Sequence, residues 1–471
     1  MPKLPPCYTL IAAAIAVGLS ACASKSPVSF AEPSAATDAK SLNFGFPLGF
    51  SPDKMDRNAD PRKDFRRYAA GRWIDAAKIP PDSVRTSSLD IQAKLVESQL
   101  VELLDEAQRT SLTAPKGTPL QQVGDFYAAG MDEKRLTELG VKPLQPELDL
   151  IAKINDKKSL TEELARLYLL TNDQLLLGLQ VGTDPLDRTR NIVLIGDGDL
   201  PMGLDNYLKP ENKAIREAYV KQVTDSLIIA GSTPEAAAAV AAKVLAIDSR
   251  VAAKKLTPLE MRDPAKLYVR MSYADLKKLL SNVDVDLLFL SLGLRTGDEL
   301  VVVNTNALRE RNAMLEELPL ADTRAYLNWE LLRRSTPYLT PAFLAPAKAF
   351  SEAMYGKIEF PPRNRMVATV VPGKLGHPLG QVYVARHFTP ETRRDAEDLV
   401  QRIRAEFRER VAKNTWLKPK TRAAALQKLD AANIIVGYPQ TWIDYSGVDI
   451  RRDDYLGDAQ RSNEFRARRD L

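Results

Sequence analysis

The chain of 471 residues is 45% hydrophobic and 27% charged, a composition typical of a globular protein with ample core material. It is long enough for two or three domains, because single hydrophobic cores stop growing at about 250–300 residues. Its 66 basic and 61 acidic residues are interspersed and give a net charge of only +5, a pattern that does not indicate nucleic-acid binding.

The N-terminus has the pattern of an export signal. Lys3 precedes an apolar run over residues 10–19, which is too short to span a bilayer as a helix, since about 20 residues are needed. The run predicts the core of a lipoprotein signal peptide over residues 1–21. Its end, "LSAC" at residues 19–22, resembles a bacterial lipobox, in which Cys22 becomes the lipidated first residue of the mature protein. A plain secretory signal with a chance cysteine is the alternative.

Lipidation at Cys22 would decide location and cysteine chemistry together. The chain is predicted to be an exported bacterial lipoprotein, and Ala23, in place of an aspartate, favours the outer membrane with the protein facing the periplasm. Residues 22–43, rich in Ser, Ala and Pro, are predicted to form a flexible tether. Because Cys7 would leave with the signal, no thiol would remain for a disulfide, a zinc site, redox chemistry or nucleophilic catalysis.

The body of the chain is predicted to be mainly helical. Residues 86–108 carry leucines at helical spacing. Ser159 with Glu162, and Ser232 with Glu235, have the spacing of capping boxes and predict two helix starts.

A long amphipathic helix is predicted after Thr389, the expected N-cap, with Pro390 as its first residue. Its apolar stripe, which we expect to be buried, consists of Ala396, Val400, Ile403, Phe407 and Val411. The segments "LLLGLQVGT" and "RNIVLIG" flank "DPLDRT" and predict a small β-hairpin near residues 175–196. The pattern favours a mainly α protein.

The two histidines do not have the spacing of a metal site. His377 and His387 are ten residues apart, neither begins a His-Glu-x-x-His motif, and Pro378 follows the first. Both are predicted to be surface or core-edge side chains, and no residue of this chain is predicted to bind a metal.

Other patterns of catalytic or binding sites are incomplete. Asp197, Asp199 and Asp205 lack calcium-loop spacing and predict turn-forming aspartates. Ser51 and Lys54 match Ser-x-x-Lys, but no Lys-Thr-Gly, Gly-x-Ser-x-Gly or Gly-rich phosphate loop accompanies them. From its own residues the chain has no self-contained active site.

Residues 60–95, "DPRKDFRRYAAGRWIDAAKIPPDSVRTSSLDIQAKL", carry a recognisable family pattern. It resembles the opening of neprilysin-like zinc metallopeptidases, a family with endothelin-converting enzymes and bacterial oligopeptidases. Ala70 departs from the asparagine that bacterial members usually have. The positions that match are Asp64, Phe65, Tyr68, Gly71, Trp73, Ile79, Pro80, Arg85, Leu89 and Asp90.

The similarity continues to residue 471, through "LPMGLDNYL", "LADTRAYLNWELL", "PLGQVYVARHF" and "WLKPKTRAAALQKLDAANIIVGYP". It implies two mainly α lobes that enclose a cavity for oligopeptides. Residues 44–95 would be the first segment of the catalytic lobe, 96–450 the helical cap lobe, and 451–471 the start of a return to the catalytic lobe. The cap lobe would then be present and the catalytic lobe incomplete.

In this family zinc is held by His-Glu-x-x-His and a downstream glutamate, which would follow Leu471 and are absent from the chain. The resemblance therefore implies the N-terminal part of a metalloendopeptidase, truncated by a frameshift, a split gene or an early stop and inactive by itself. Its partners would be an oligopeptide and the missing catalytic half. We expect the surface that would contact that half to be apolar. The alternatives are a non-catalytic, lipid-anchored peptide-binding or scaffolding protein and an unrelated helical lipoprotein.

One substrate contact of the family maps onto this chain. The family's Arg-x-x-x-x-Asp pair, which meets the C-terminal carboxylate of a short peptide, corresponds to Arg85 and Asp90. A guanidinium pairs bidentately with a carboxylate, so the chemistry fits. The alternative is a purely local ion pair at the start of the helix over residues 86–108.

Overall fold

The computed structural model describes residues 42–185, 187–295, 297, 299–356 and 359–471. Cys22, the predicted signal peptide and nearly all of the predicted tether lie outside the described residues. No helix in the described ranges is both long and apolar enough to cross a membrane.

The described residues are mainly helical, as the sequence predicts. The helices, in chain order, are α1 (Phe65–Ala76), α2 (Ser88–Thr110), α3 (Pro119–Met131), α4 (Glu133–Leu139), α5 (Gln145–Ala152), α6 (Lys157–Thr171), α7 (Leu204–Leu208), α8 (Lys213–Ile229), α9 (Pro234–Ala252), α10 (Pro264–Leu267), α11 (Tyr273–Leu279), α12 (Val285–Ser291), α13 (Thr305–Glu317), α14 (Leu320–Ser335), α15 (Leu344–Tyr355), α16 (Arg363–His387), α17 (Pro390–Lys413), α18 (Pro419–Asp430) and α19 (Tyr455–Asp470).

A small sheet accompanies the helices. Its strands are β1 (Gly178–Thr183), β2 (Asn191–Gly196), β3 (Tyr268–Ser272) and β4 (Glu299–Val303), in the spatial order β1-β2-β4-β3. β1 and β2 form the predicted antiparallel hairpin. β4 pairs parallel to β2 and antiparallel to β3. The sequence did not predict β3 and β4, because an apolar run as short as "ELVVV" does not distinguish a buried strand from a buried helix turn.

Two predicted helix starts are shifted by one or a few residues. The cap of α6 is Asp156, not Ser159: the Asp156 carboxylate accepts the Ser159 amide at 2.7 Å, while Ser159 Oγ accepts the Asp156 amide at 3.1 Å. The cap of α9 is Thr233, not Ser232, because Thr233 Oγ1 accepts the Ala236 amide at 3.3 Å. In each case the oxygen that caps the helix lies three residues before the amide it satisfies.

The predicted stripe of α17 is not buried. The helix begins as expected, with Thr389 as N-cap and Pro390 first, but no residue of α17 is buried and Ile403 and Phe407 are 59% and 55% exposed. The helix packs against α18, where Arg404 Nη2 donates to the Leu429 carbonyl at 2.9 Å. An amphipathic pattern indicates that one face of a helix favours burial. Among the described residues, none packs over the apolar face of α17 closely enough to bury it.

The main core contains a buried network of charged and hydroxyl groups. Asp248, which is fully buried on α9, accepts hydrogen bonds from the hydroxyls of Tyr219 (2.9 Å) and Tyr326 (2.8 Å). Arg311 donates to the Tyr326 hydroxyl at 3.0 Å. Burial raises the pKa of Asp248 to about 6, and the nearby Glu330 carboxylate acts in the same direction. The network joins α8, α9, α13 and α14 through hydrogen bonds in a medium where unpaired groups are costly.

Another buried carboxyl lies on α19, and its protonation makes the stability of the fold depend on pH. Burial raises the pKa of Asp458 to about 8, and Asp454 adds to this, although the Arg451 amide and Arg461 act against it. The folded state therefore holds a proton that the unfolded chain releases near pH 4, so stability is lost as pH rises from about 4 to 8.

We expect Asp458→Asn to remove this component. Urea unfolding at pH 5 and pH 7.5 gives the unfolding free energy of wild type minus that of the variant. This difference should fall by about 1 kcal/mol for each unit that the pH rises, because a single-proton linkage has a slope of at most ~1.4 kcal/mol per pH unit. A difference that is equal at the two pH values would contradict a protonated Asp458 in the folded state.

Candidate functional site

An open groove of about 980 Å³ lies between α2, α16 and the loop that joins α1 to α2. Its walls are mostly apolar, with charged side chains at the loop end. The lining residues are Asp82, Ser83, Val84, Arg85, Leu89, Asp90, Gln92, Ala93, Lys94, Val96, Glu97, Leu100, Tyr355, Ala368, Thr369 and Pro372. A cleft with apolar walls and a few polar groups is the usual form of a small-ligand site.

α16 is kinked at Leu375, and side-chain contacts beyond the kink hold it to α2. The Tyr383 hydroxyl on α16 donates to Gln99 on α2 at 2.8 Å. Arg386, also on α16, donates to Glu102 at 3.0 Å and to Glu106 at 2.5 Å. α3 packs beneath both helices. These contacts hold α16 against α2 and α3, and walls held by side-chain contacts favour precise positioning of a ligand.

Both residues predicted to bind substrate lie on the groove wall. α2 begins after Ser87, whose hydroxyl accepts the Asp90 amide at 3.3 Å and donates to the Asp90 carboxylate at 2.6 Å. Arg85 Nε lies 3.6 Å from Asp90 Oδ1, and the Arg85 side chain is 81% exposed. The local ion pair is thus present but exceeds hydrogen-bond distance, and the guanidinium faces solvent. Its role in binding a substrate stays a prediction.

A cluster of four charged residues lies beside Arg85, and the sequence did not predict it. Asp82 Oδ1 accepts from Lys94 at 2.7 Å, and Asp82 Oδ2 accepts from Arg365 at 2.8 Å. Arg365 also donates to Glu97 at 2.7 Å. Burial alone would raise the pKa of Asp82, but Lys94 and Arg365 outweigh it and lower the pKa to about 2. The Asp82 carboxylate is therefore charged at any pH near neutrality.

The histidines do not form a metal site. The His377 ring, packed edge-on to Trp442, accepts the Ile443 amide at Nδ1 (3.2 Å). The His387 ring lies against Tyr383. Burial lowers the pKa of both histidines. The two histidines are ten positions apart on α16, which is about 15 Å along a helix. Across the described ranges, no group of three or more His, Cys, Asp or Glu residues could hold a metal ion, so these residues do not fit a zinc site.

Two other predicted features have structural roles. Asp197 is not a turn former. It is buried, and it accepts hydrogen bonds from Lys255, which follows α9, at 2.5 Å and from Asn304, the residue before α13, at 3.1 Å. Lys54 is buried and donates to the Gly49 carbonyl at 2.7 Å, so it does not activate Ser51.

The chain is similar to known proteins over most of its length. Residues 61–439 match the family model described as Peptidase family M13. Mouse endothelin-converting enzyme 1 is 23% identical over 419 residues, which cover 86% of this chain and 53% of the mouse protein. Neprilysin-1 from Trittame loki is 24% identical over 434 residues, which cover 87% of this chain and 58% of that protein.

Solved structures show the same fold. The Mycobacterium tuberculosis zinc metalloprotease Zmp1 in complex with inhibitor superposes with a TM-score of 0.81 at 27% identity, covering 90% of this chain and 64% of that one. PepO from Lactobacillus rhamnosis, at 18% identity and a TM-score of 0.72, shares the fold alone. The chain spans just over half the length of the mouse and Trittame loki relatives.

Proposed function

Because this chain belongs to peptidase family M13, the neprilysin-like zinc metallopeptidases, we propose that it supplies the peptide-binding wall of a zinc metalloendopeptidase that cleaves oligopeptides. The observation that carries the proposal is the groove beside α2, in which an exposed guanidinium at Arg85 stands next to apolar walls. A short peptide would place its C-terminal carboxylate on Arg85 and an apolar side chain against Val96 and Leu100.

The chemistry of Arg85 suits this role. A guanidinium offers parallel N–H donors that match a carboxylate, and it remains charged at every physiological pH. Asp90 balances the charge when the groove is empty, and its 3.6 Å separation from Arg85 leaves no hydrogen bond to break before a peptide binds.

We expect Arg85→Ala to abolish the preference for a free C-terminus. Wild-type chain should bind fluorescein-labelled Gly-Phe-Leu roughly fivefold to tenfold more tightly than its C-terminal amide, because an exposed charged pair contributes about 1 kcal/mol. Fluorescence polarisation of both peptides measures this. The control Arg62→Ala removes another strongly exposed arginine, 89% exposed, which pairs with Asp60 and does not line the groove. An unchanged preference in Arg85→Ala would refute the proposed site.

Catalysis in this family requires zinc ligands, and the residues that the structure describes contain no group that could hold a metal ion. We therefore propose that the ligands come from polypeptide outside this sequence. The purified chain should bind no stoichiometric zinc and hydrolyse no peptide, and co-expression with a polypeptide carrying His-Glu-x-x-His should produce cleavage. Tight zinc binding with turnover by the chain alone would contradict this. Peptide binding without cleavage in every combination would favour a non-catalytic, lipid-anchored binding protein.

Exposed apolar side chains support the same proposal. α17 and the segments on either side of α18 expose large apolar side chains, and exposed apolar patches usually contact another protein surface. We propose that this face packs against the zinc-bearing polypeptide. The exposed residues are Leu399, Ile403, Phe407, Trp416 and Ile435.

We also propose that the protein is anchored to the outer membrane through lipid on Cys22. Cys22→Ser is expected to abolish incorporation of labelled palmitate and to move the protein from the membrane pellet to the periplasmic fraction. Cys7→Ser is the matched control and should keep the label, because residue 7 lies in the predicted signal peptide. Labelled Cys22→Ser protein would exclude this anchor.

A further inference from the structure

The loop that carries Arg85 has no regular secondary structure of its own. It runs from Ala77, after the last residue of α1, to Ser87, the cap of α2. Arg85 contributes little to holding the loop, since its side chain is 81% exposed and its charged neighbour is 3.6 Å away. The position of the guanidinium therefore depends on the loop residues before and after it.

After Arg85, the loop is held by contacts between residues that are close in the sequence. Ser87 caps α2 and is hydrogen-bonded to Asp90, which ties this end of the loop to the first turn of the helix.

Before Arg85, the loop is held by contacts with residues that are distant in the sequence. Asp82, with a side chain only 15% exposed, is held at one oxygen by Lys94 of α2 and at the other by Arg365 of α16. Arg365 is held in turn by Glu97, one helical turn beyond Lys94. The preceding Pro81 carbonyl accepts the Glu359 amide at 3.0 Å. Both helices that form the groove walls therefore hold the loop three residues before Arg85.

We infer that Asp82 is a positioning residue, whose carboxylate, clamped between Lys94 and Arg365, fixes the loop so that Arg85 meets the C-terminal carboxylate of a bound peptide. This inference rests on the proposed function of the groove. Asp82 does not touch the peptide in this arrangement. Its contribution is to keep the loop from moving, because charge-assisted hydrogen bonds to both oxygens restrict the carboxylate more than one bond would.

The charges of the cluster decide which variant tests this. Asp82 and Glu97 balance Lys94 and Arg365, so removing Asp82 alone would leave an uncompensated cation that could bind the peptide carboxylate by itself. The double variant Asp82→Asn/Lys94→Gln removes the clamp without changing the net charge, and it leaves the pair of Arg365 and Glu97 intact.

The experiment compares labelled Gly-Phe-Leu with its C-terminal amide on the full chain. We expect the preference for the free carboxylate to fall from roughly fivefold to tenfold in wild type to less than about twofold in the double variant. Binding of the amide should stay within about twofold of wild type. Asp82→Glu, which keeps a carboxylate, should retain most of the preference, and thermal unfolding checks that each variant is folded.

The matched control is Lys221→Gln/Asp225→Asn, which removes an exposed ion pair of α8. A double variant at Asp82 and Lys94 that keeps the full preference, while Arg85→Ala loses it, would overturn the positioning role and leave the proposed function standing. Equally weaker binding of the free peptide and its amide would also overturn the positioning role, since that result indicates collapse of the groove. If Arg85→Ala keeps the preference, the proposed function fails first.

Discussion

Replacing Glu330 by glutamine is expected to destabilise the folded chain by about 3–5 kcal/mol, because it leaves two largely buried arginine side chains without their counter-charge. The Glu330 side chain is fully buried on α14 and pairs with Arg333 at 3.2 Å and with Arg334. Burial raises its pKa, but the two arginines outweigh this and the pKa is lowered, so the carboxylate stays ionised. Because glutamine keeps the shape of the side chain, the loss of stability measures the effect of removing the charge rather than a change in packing.

Urea unfolding at pH 7 measures this effect. The control Glu217→Gln removes a carboxylate that is 66% exposed and pairs with Lys213 one turn away on α8. We expect it to change stability by less than about 0.5 kcal/mol, because exposed pairs contribute little. A loss of less than about 1 kcal/mol in Glu330→Gln would show that Asp173, which accepts from Arg334 at 2.7 Å, compensates for the missing carboxylate.

Gly124→Ala is expected to cost about 3 kcal/mol and to weaken peptide binding in the groove. Gly124 lies on α3 where that helix crosses α2, and an added Cβ would lie 2.3 Å from the Ala107 carbonyl oxygen and 2.6 Å from Ser111 Cβ. The nearest atom belongs to the backbone and cannot rotate away, so the helices must separate. α2 forms one wall of the groove, and its displacement would move Asp90 and Lys94 together.

A second helical glycine supplies the control. Gly373 lies within α16, where an added Cβ meets no atom within 4 Å. Gly373→Ala should therefore be neutral or stabilise by up to about 1 kcal/mol, because alanine is the better helix former. Thermal and urea unfolding of both variants, with polarisation of the labelled peptide, provide the comparison. Equal stability of the two variants would mean that α2 and α3 can separate at no cost.

Several local features could be predicted from the sequence because their causes are local. The β1–β2 hairpin follows from two strand-like segments around a turn, and the start of α17 follows from Thr389 and Pro390. The starts of α6 and α9 were predicted in nearly the right place but with the wrong cap, because neighbouring Asp, Ser and Thr residues compete for the same amides.

The residues of the candidate site likewise include some that a sequence motif identifies and some that only tertiary packing brings together. Arg85 and Asp90 are five residues apart and belong to a motif that the family resemblance identifies, so the sequence predicts them together. Asp82 and Arg365 are separated by 283 residues, and only the packing of α16 on α2 brings them into contact. No local pattern distinguishes Asp82 from an ordinary loop aspartate.

The sequence by itself determined the family, the mainly α class, the hairpin and one helix cap, since these depend on motifs and on hydrogen bonds within a few residues of one another. The tertiary structure alone decided which charged residues hold the Arg85 loop, the order of strands in the four-stranded sheet, and the exposure of the α17 stripe. The physical reason is that burial and ion pairing depend on which distant segments come together. A residue's own neighbours in sequence do not contain that information.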